Sequence, residues 1–245
     1  MSVGIDRDEI NEKLFQGLAT PSVSGIPPDS ALYDPVQDTW FGPDKAKALE
    51  LFAEIGISDK DGDGILEYKD GSDVSIIVPG FTNQPMNVET AEALAAEWTK
   101  LGLKATLYTA DTTTIVDKQF AGEIAFQIHT GVPEGVPFHY LGNWHNPISY
   151  ARGVTIPMPP EFLKCHELEM KVAAASTVED QFAAAKEFFN YISTEALSWI
   201  HLVTNRPQQV IRHKRMGNVP DRRIFQKFMM TAKSDQFFIK KDWQD

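Results

Sequence analysis

The stretch that decides the fold is "PDKAKALELFAEIGISDKDGDGILEYKDGSDVSIIVPG", residues 43–80. Pro43 followed by Asp44 is typical of a helix start, and Gly56 stands where a left-handed residue commonly ends a helix. An acidic loop with interspersed glycines follows at residues 59–70, and "DVSIIVPG" then has the β-branched composition of a buried strand. The stretch therefore predicts a helix, an acidic loop and a strand, in that order.

The acidic loop shares part of its pattern with the calcium-binding EF-hand. Asp59, Asp61 and Asp63 occupy the first, third and fifth positions and Gly64 the sixth, but Asp70 stands at the twelfth, where the motif has a glutamate. An EF-hand also needs a helix on each side, and here a strand is predicted after the loop. An EF-hand sensor is therefore excluded. A single calcium ion that stabilises the loop stays open, because three aspartates in one turn repel one another without a cation or solvent.

Beyond residue 80 the sequence alternates between helical and extended patterns. Helices are predicted over residues 86–101 and 111–122, and strands over residues 103–108 and 124–129. With the strand before them, they form a β-α-β-α-β succession, which is typical of a sheet covered by helices. Crossovers between parallel neighbouring strands are expected to be right-handed. The fold class predicted is α/β with mixed α+β character.

Further helices are predicted on both sides of this region. The first begins at Asp6 as N-cap, with Glu9 in the position of a capping box. A proline-rich connection, residues 20–43, leads from it to the second helix. After a loop-rich stretch at residues 130–160, two helices with apolar core stripes are predicted over residues 161–175 and 178–197, the latter with Thr177 as N-cap.

Composition excludes several classes of protein. No apolar stretch approaches the roughly 18 residues that cross a bilayer, and residues 1–15 have neither the basic nor the apolar region of a secretory signal. The single cysteine, Cys165, excludes an internal disulfide and is interpreted as a core residue. The net charge is −11, with +6 in residues 206–245 and −17 in the remainder. Because the basic segment also carries many aromatic residues, it is interpreted as a packed tail, and nucleic-acid binding is not expected.

Several segments together resemble the family 5 extracytoplasmic solute-binding proteins of ABC transporters, which include dipeptide and oligopeptide receptors. The acidic-loop stretch is the most specific of them. The resemblance covers nearly the whole chain but only part of a family protein. The other segments that carry it are "GIDRDEINEKLFQGLATP", "IPPDSALYDP", "AEALAAEWTKLGLKATLYTAD", "TVEDQFAAAKEFFNYISTEALSWIHL" and "VIRHKRMGNVP".

The resemblance implies the second lobe of a type II periplasmic binding protein, with helices covering a mixed sheet. Residues 1–205 would form this ligand-binding lobe, and the basic tail, residues 206–245, would return towards a first lobe that this chain lacks. The implied protein is periplasmic or extracytoplasmic and monomeric. It captures a peptide or similar small solute by closure of two lobes and delivers it to ABC permease subunits in the membrane.

The resemblance also places the ligand-facing loop directly after the predicted strand 124–129. The side chains expected to line it are the aromatic or imidazole groups of His139, Tyr140 and Trp144 and the hydrogen-bonding groups of Thr130 and Asn143. Many family members carry a tryptophan and an Asp-Pro pair in this loop, and here the sequence is "TGVPEGVPFHYLGNW". Apart from Glu134, that segment contains no acidic residue that could bind the amino group of a peptide.

An enzyme is the remaining alternative. His129, His139 and His145 fall in one region, and three histidines can bind zinc. Their spacing matches no zinc motif, and the sequence contains no GxSxG, HExxH or phosphate-binding loop. The sequence is therefore not expected to encode an enzyme, and no catalytic residue, resident metal or cofactor is assigned.

Overall fold

The computed structural model describes residues 1–39, 42–128, 160–197 and 199–204, together with the pairs 216–217 and 238–239. Its helices are α1 (Arg7–Phe15), α2 (Lys45–Glu54), α3 (Pro85–Lys100), α4 (Thr112–Phe120), α5 (Pro160–Ala174) and α6 (Val178–Tyr191), with 3₁₀ turns at Ser2–Gly4 and Pro35–Asp38 and a π-helical turn at Ile192–Ala196. Its strands are β1 (Thr20–Pro21), β2 (Ser75–Phe81), β3 (Lys104–Ala110), β4 (Val203–Thr204), β5 (Met216–Gly217) and β6 (Phe238–Ile239).

The central unit is a parallel pair of strands joined by a helix. β2 and β3 pair in register from Ser75–Lys104 to Phe81–Ala110, and α3 connects them and packs against both. This is the β-α-β unit that the sequence predicts. Strand β2 is buried only in its carboxyl half, residues 78–81, whereas Ile77 is 41% exposed. The prediction of a buried strand therefore holds for the half that α3 and α4 cover.

A strand is predicted over residues 124–129, but residues 124–128 form no strand, so the prediction is wrong for them. Ile124 and Ile128 are buried and the ring of Phe126 packs edge-to-face on Trp98, with ring centroids 5.5 Å apart. The apolar alternation thus places these side chains in the core as expected. Among the described residues, however, the main chain here pairs with neither β2 nor β3, and a strand is defined by that pairing.

Side-chain caps fix the starts of the helices. The side chains of Asp6, Asp44, Asp111 and Thr177 accept hydrogen bonds from main-chain N–H groups in the first turns of α1, α2, α4 and α6. These positions agree with the sequence predictions. The capping box at α1 is only half formed, because the N–H of Asp6 donates to Glu97 of α3 instead of to Glu9.

The described residues contain two main hydrophobic clusters. The first lies between the β2–β3 pair and helices α1, α2 and α3, with Val78, Ala91 and Trp98 at its centre. The second lies between α5, α6 and the proline-rich connection, where Ile26 and Leu32 pack against Phe188 and other helical side chains. The proline-rich connection therefore supplies part of a core.

Short antiparallel pairs join distant parts of the chain. β1 pairs with β4, Thr20 with Thr204 and Pro21 with Val203, and β5 pairs with β6. None of the helices among the described residues is long and apolar enough to span a lipid bilayer.

Candidate functional site

The carboxyl ends of β2 and β3 meet at one edge of the central unit. The N–H of Thr82 donates to the carbonyl of Ala110 at 2.9 Å, and the hydroxyl of Thr112 contacts the amide oxygen of Asn83 at 2.9 Å. In open α/β sheets, ligands bind in the crevice outside the carboxyl ends of the strands. We call Thr82, Asn83, Thr112 and Ile128 the strand-end edge. Of these residues, Thr82 and Asn83 are exposed and Thr112 is half-buried, and their polar groups can form hydrogen bonds with a polar ligand.

Asp111 lies between β3 and α4 and caps α4. Its carboxylate accepts hydrogen bonds from the hydroxyl of Thr114 at 2.7 Å and from the N–H of Thr114 at 3.1 Å. These bonds hold the pKa of Asp111 below its ordinary value. The turn between β3 and α4 therefore keeps a fixed negative charge close to the strand-end edge.

Asn87 joins the end of β2 to Ile128 of the strand-end edge. Its amide oxygen accepts a hydrogen bond from the N–H of Phe81 at 2.8 Å, and its amide nitrogen donates to the carbonyl of Ile128 at 2.7 Å. The side chain is 1% exposed. The ligand-facing residues predicted from the sequence, namely Thr130, His139, Tyr140, Asn143 and Trp144, all lie outside the described residues, as do His129 and His145.

The acidic loop brings four carboxylates together. One oxygen from each of Asp59, Asp61, Asp63 and Glu67 lies within 4.8 Å of the others. Glu67 is buried and also accepts a hydrogen bond from the N–H of Lys60 at 2.7 Å. Carboxylate oxygens in such a group are the ligand type that calcium prefers. This set is the one among the described residues that has the donor chemistry of a metal site.

The loop is nevertheless not an EF-hand. Asp70, at the twelfth position, accepts hydrogen bonds from the N–H and the hydroxyl of Ser72 and is not a member of the carboxylate group. Gly56 has a φ of +83° after the end of α2, and the exit leads through Val74 into β2. The sequence prediction of a helix before the loop and a strand after it is confirmed.

Cys165 is a core residue, as its sequence context predicts. Its thiol is fully buried in the cluster between α5 and α6, and burial raises its pKa to about 11. The adjacent His166 is exposed and contacts the carboxylate of Glu169 at 3.4 Å on the same helix. A catalytic cysteine needs a lowered pKa and a base within hydrogen-bond reach. The thiol of Cys165 has a raised pKa and the side chain of His166 faces solvent, so the pair is not interpreted as a nucleophile and its base.

A buried arginine, to which the sequence prediction gave no role, connects the segments around Ser2, Ser22 and His201. Arg7 is fully buried, and its Nε donates to the carbonyls of Ser22 at 3.2 Å and His201 at 2.9 Å. Its terminal nitrogens donate to the carbonyl and the hydroxyl of Ser2, at 3.0 and 2.7 Å. Burial lowers the pKa of Arg7 to about 10, so the side chain stays charged at neutral pH.

Asn11 and Glu97 are two further buried polar side chains without a role in the sequence prediction. Asn11 forms two hydrogen bonds with the main chain of Ala19, and Glu97 joins α3 to α1. A single polar residue within a helical sequence pattern does not indicate whether its side chain is buried or exposed. The Asp-Arg pair at the start of α1, by contrast, belongs to one of the segments that resemble the family.

Comparison with known proteins gives a family match over residues 1–145, to the model described as "Bacterial extracellular solute-binding proteins, family 5 Middle". The periplasmic alpha-galactoside-binding protein of Rhizobium meliloti is 22% identical over 235 residues, which cover 90% of this chain and 33% of that protein. Di/tripeptide-binding protein 3 of Pseudomonas aeruginosa is 26% identical over 128 residues, which cover 50% of this chain and 21% of that protein.

A solved structure supports the fold. The periplasmic binding protein MelB of Agrobacterium fabrum C58, in complex with stachyose, superposes with a TM-score of 0.70 at 20% identity, covering 82% of this chain and 32% of that one. The fold is that of type II periplasmic binding proteins, as the resemblance implies. The chain spans about a third of the length of relatives such as the alpha-galactoside-binding protein. Because the family match covers more than half of its 245 residues, the chain belongs to the bacterial extracellular solute-binding proteins of family 5.

Proposed function

We propose that this chain forms one lobe of a two-lobed receptor of an ABC importer, which captures a peptide or an oligosaccharide outside the cytoplasmic membrane. The receptor delivers this solute to permease subunits and acts as a monomer. The family match over residues 1–145 is the observation that carries the proposal. Residues 1–205 form the lobe in this proposal, and residues 206–245 return towards the other lobe.

The geometry of the strand-end edge supports a binding role. The edge presents the amide group of Asn83 and the hydroxyl groups of Thr82 and Thr112, and the carboxylate of Asp111, which caps α4, adjoins Thr112 in the sequence. Such groups recognise the hydroxyls of a sugar or the main chain of a peptide by hydrogen bonds. The names of two relatives include an alpha-galactoside and di- and tripeptides, which are the two ligand classes considered.

We also propose that the segment after Ile128 completes the site. In it, Trp144 and Tyr140 stack on a sugar ring or a peptide side chain, and Asn143, Thr130 and His139 form hydrogen bonds with the ligand. Closure of the two lobes then excludes water from these contacts. The relatives are named as binding proteins, and the receptor in this proposal carries out no chemical step.

Titration calorimetry with two probes tests the proposal. The full receptor, with both lobes, is titrated with trialanine and with stachyose, and one of them is expected to bind with a Kd of about 10 μM or tighter. Trp144→Ala is expected to weaken binding about tenfold or more. Tyr68→Ala, which removes an exposed aromatic ring of the acidic loop, is the matched control and should leave the Kd unchanged.

The 245-residue chain alone gives a second test. Because half of the cleft would be absent, it is expected to be a monomer in gel filtration and to bind both probes at least 100-fold more weakly, about 3 kcal/mol, than the full receptor. Tight binding by this chain alone would contradict the single-lobe interpretation. If the full receptor bound neither trialanine nor stachyose, the proposed ligand classes would be wrong.

A further inference from the structure

Asn87 occupies an unusual place among the buried polar residues of the lobe. It lies in the first turn of α3, is 1% exposed, and uses both ends of its amide at once. The oxygen accepts from the N–H of Phe81, the last residue of β2, and the nitrogen donates to the carbonyl of Ile128. One side chain therefore connects a strand end, a helix start and a segment 41 residues further along the chain.

These two bonds replace a missing sheet contact. Residues 124–128 form no strand, so no ladder of main-chain hydrogen bonds sets their position relative to β2. Their apolar side chains hold them against the core, but apolar contacts are not directional. The bond from Asn87 to Ile128 is directional, and in sequence Ile128 comes two residues before Thr130, the first residue of the loop predicted to face the ligand.

Burial makes the bond hard to replace. In a site that excludes water, a carbonyl that loses its donor is left unsatisfied, and the main chain moves to find another partner. Movement of Ile128 changes its distance from Thr82 and Asn83, which directly follow the other main-chain group that Asn87 holds. The amide of Asn87 therefore sets the spacing between two parts of the strand-end edge.

We propose that Asn87 is a positioning residue for ligand binding, which fixes Ile128 against the end of β2 without touching the ligand. This inference rests on the proposed binding role of the strand-end edge. Substitution of Asn87 weakens binding through displaced groups on both sides of it. An Asn87 that served stability alone would lower the melting temperature and leave the affinity of the folded protein unchanged.

Asn11 provides a matched control within the same lobe. It is also a buried asparagine on a helix, 6% exposed, and it likewise uses both ends of its amide, donating to the carbonyl of Ala19 at 3.0 Å and accepting from its N–H at 3.1 Å. Its bonds close the turn after α1 and make no contact with the strand-end edge. Asn→Asp at either position keeps the acceptor and removes the donor.

The experiment compares Asn87→Asp and Asn11→Asp in the full receptor at pH 8. Both variants are expected to melt at lower temperature than the wild type, and each is titrated well below its melting point. With the probe that the wild type binds, trialanine or stachyose, Asn87→Asp is expected to raise Kd about tenfold and Asn11→Asp less than about twofold. Equal Kd values for the wild type and Asn87→Asp would overturn the proposal.

A measurement without ligand separates this inference from the proposed function. In a spectrum of isoleucine δ1-methyl groups, the Ile128 signal is expected to shift in Asn87→Asp and to stay in place in Asn11→Asp. An unmoved Ile128 signal in Asn87→Asp would show that Asn87 does not position it. If neither probe bound the wild type while the signal shifted, the proposed ligand classes would fail and the positioning by Asn87 would stand.

Discussion

The main-chain N–H of Asp6 donates a hydrogen bond to the carboxylate of Glu97 at 2.9 Å, across 91 residues of sequence. Asp6 is the N-cap of α1 and Glu97 lies in the last turn of α3, so the bond joins the start of one helix to the end of the other. The second carboxylate oxygen accepts from Lys100 at 2.6 Å, and Lys100 also contacts Glu9 of α1 at 2.8 Å. One buried acid therefore accepts hydrogen bonds from the start of α1 and from Lys100 of α3.

Glu97→Ala is expected to destabilise the protein by about 2 kcal/mol, because it leaves the N–H of Asp6 without its acceptor in a partly buried position. Glu97→Gln keeps an acceptor oxygen and loses only the ionic contact with the half-exposed Lys100, so a loss below about 1 kcal/mol is expected. Urea denaturation of both variants measures the difference. Equal losses would mean that charge, and not the bond to Asp6, is what Glu97 contributes.

His201 makes the stability of the protein depend on pH. Its imidazole stacks on Trp199 with ring centroids 6.0 Å apart, and burial, with a smaller effect of the charge on Arg7, lowers its pKa from 6.5 to about 4. The folded state therefore binds fewer protons than the unfolded state between these two values. The stability contribution is complete above pH 6.5 and is lost as the pH falls towards 4, by at most about 1.4 kcal/mol per pH unit.

His201→Gln tests this dependence. The variant is less stable at pH 7.5, because it loses the ring stacking, but the difference from the wild type is expected to shrink between pH 6.5 and pH 5. This window avoids the titration of Glu9, whose pKa is lowered to about 2 mainly by its hydrogen bond with Lys100. A constant difference between the two proteins from pH 7.5 to pH 5 would show that His201 keeps its ordinary pKa.

Local signals in the sequence account for the helices and for the central β-α-β unit. Asp6, Asp44, Asp111 and Thr177 each stand where a polar cap precedes an apolar helical pattern, and each caps a helix. Such signals act within one turn of the chain, so they are readable from single segments. The error at residues 124–128 has the opposite cause, since strand formation depends on a partner that the segment itself does not specify.

The candidate site was less predictable, for a related physical reason. The amide of Asn87 forms hydrogen bonds with Phe81, six residues before it, and with Ile128, 41 residues after it. Only the packing of the core brings Ile128 close enough to Asn87 for the second bond. Arg7 similarly bonds the carbonyl of His201, 194 residues away. The acidic loop was predictable because its carboxylates are neighbours in sequence. Long-range polar contacts therefore needed the fold before they could be assigned.

Gly102 and Gly122 offer a matched test of the contact between the central unit and the acidic loop. Both have positive φ, +91° and +75°, and each directly follows the chain's exit from a helix. A Cβ at Gly102 would lie 2.8 Å from the carbonyl oxygen of Gly64, whereas one at Gly122 would meet no atom within 4 Å. Gly102 also accepts a hydrogen bond from the N–H of Leu66 at 2.7 Å, which fixes the loop against it.

Gly122→Ala is expected to cost about 1 kcal/mol, from the left-handed backbone alone. Gly102→Ala is expected to cost about 3 kcal/mol, because the loop must also move away from the new methyl group. Thermal denaturation of the two variants gives the comparison. If both cost the same, the close approach of the acidic loop to Gly102 makes no difference to stability.

Charge repulsion in the acidic loop is the basis of the last prediction. The carboxylate oxygens of Asp59, Asp61, Asp63 and Glu67 lie within 4.8 Å of one another, and Asp61 accepts a hydrogen bond from the N–H of Asp63 at 3.1 Å. Asp61→Asn keeps that acceptor and removes one charge. With chelator present at low salt, we expect the variant to be more stable than the wild type by about 0.5 kcal/mol, and the gain to shrink as salt screens the repulsion.

Asp70→Asn is the control for this prediction, because Asp70 lies outside the carboxylate group and bonds Ser72 through one oxygen. It removes the same charge and is expected to give no gain. Calcium titration of the wild type and Asp61→Asn resolves the alternative that the sequence leaves open. A melting temperature that rises with calcium in the wild type, and less in Asp61→Asn, would show that the four carboxylates hold a cation. An unchanged melting temperature in both would leave repulsion, screened by solvent and salt, as the property of this loop.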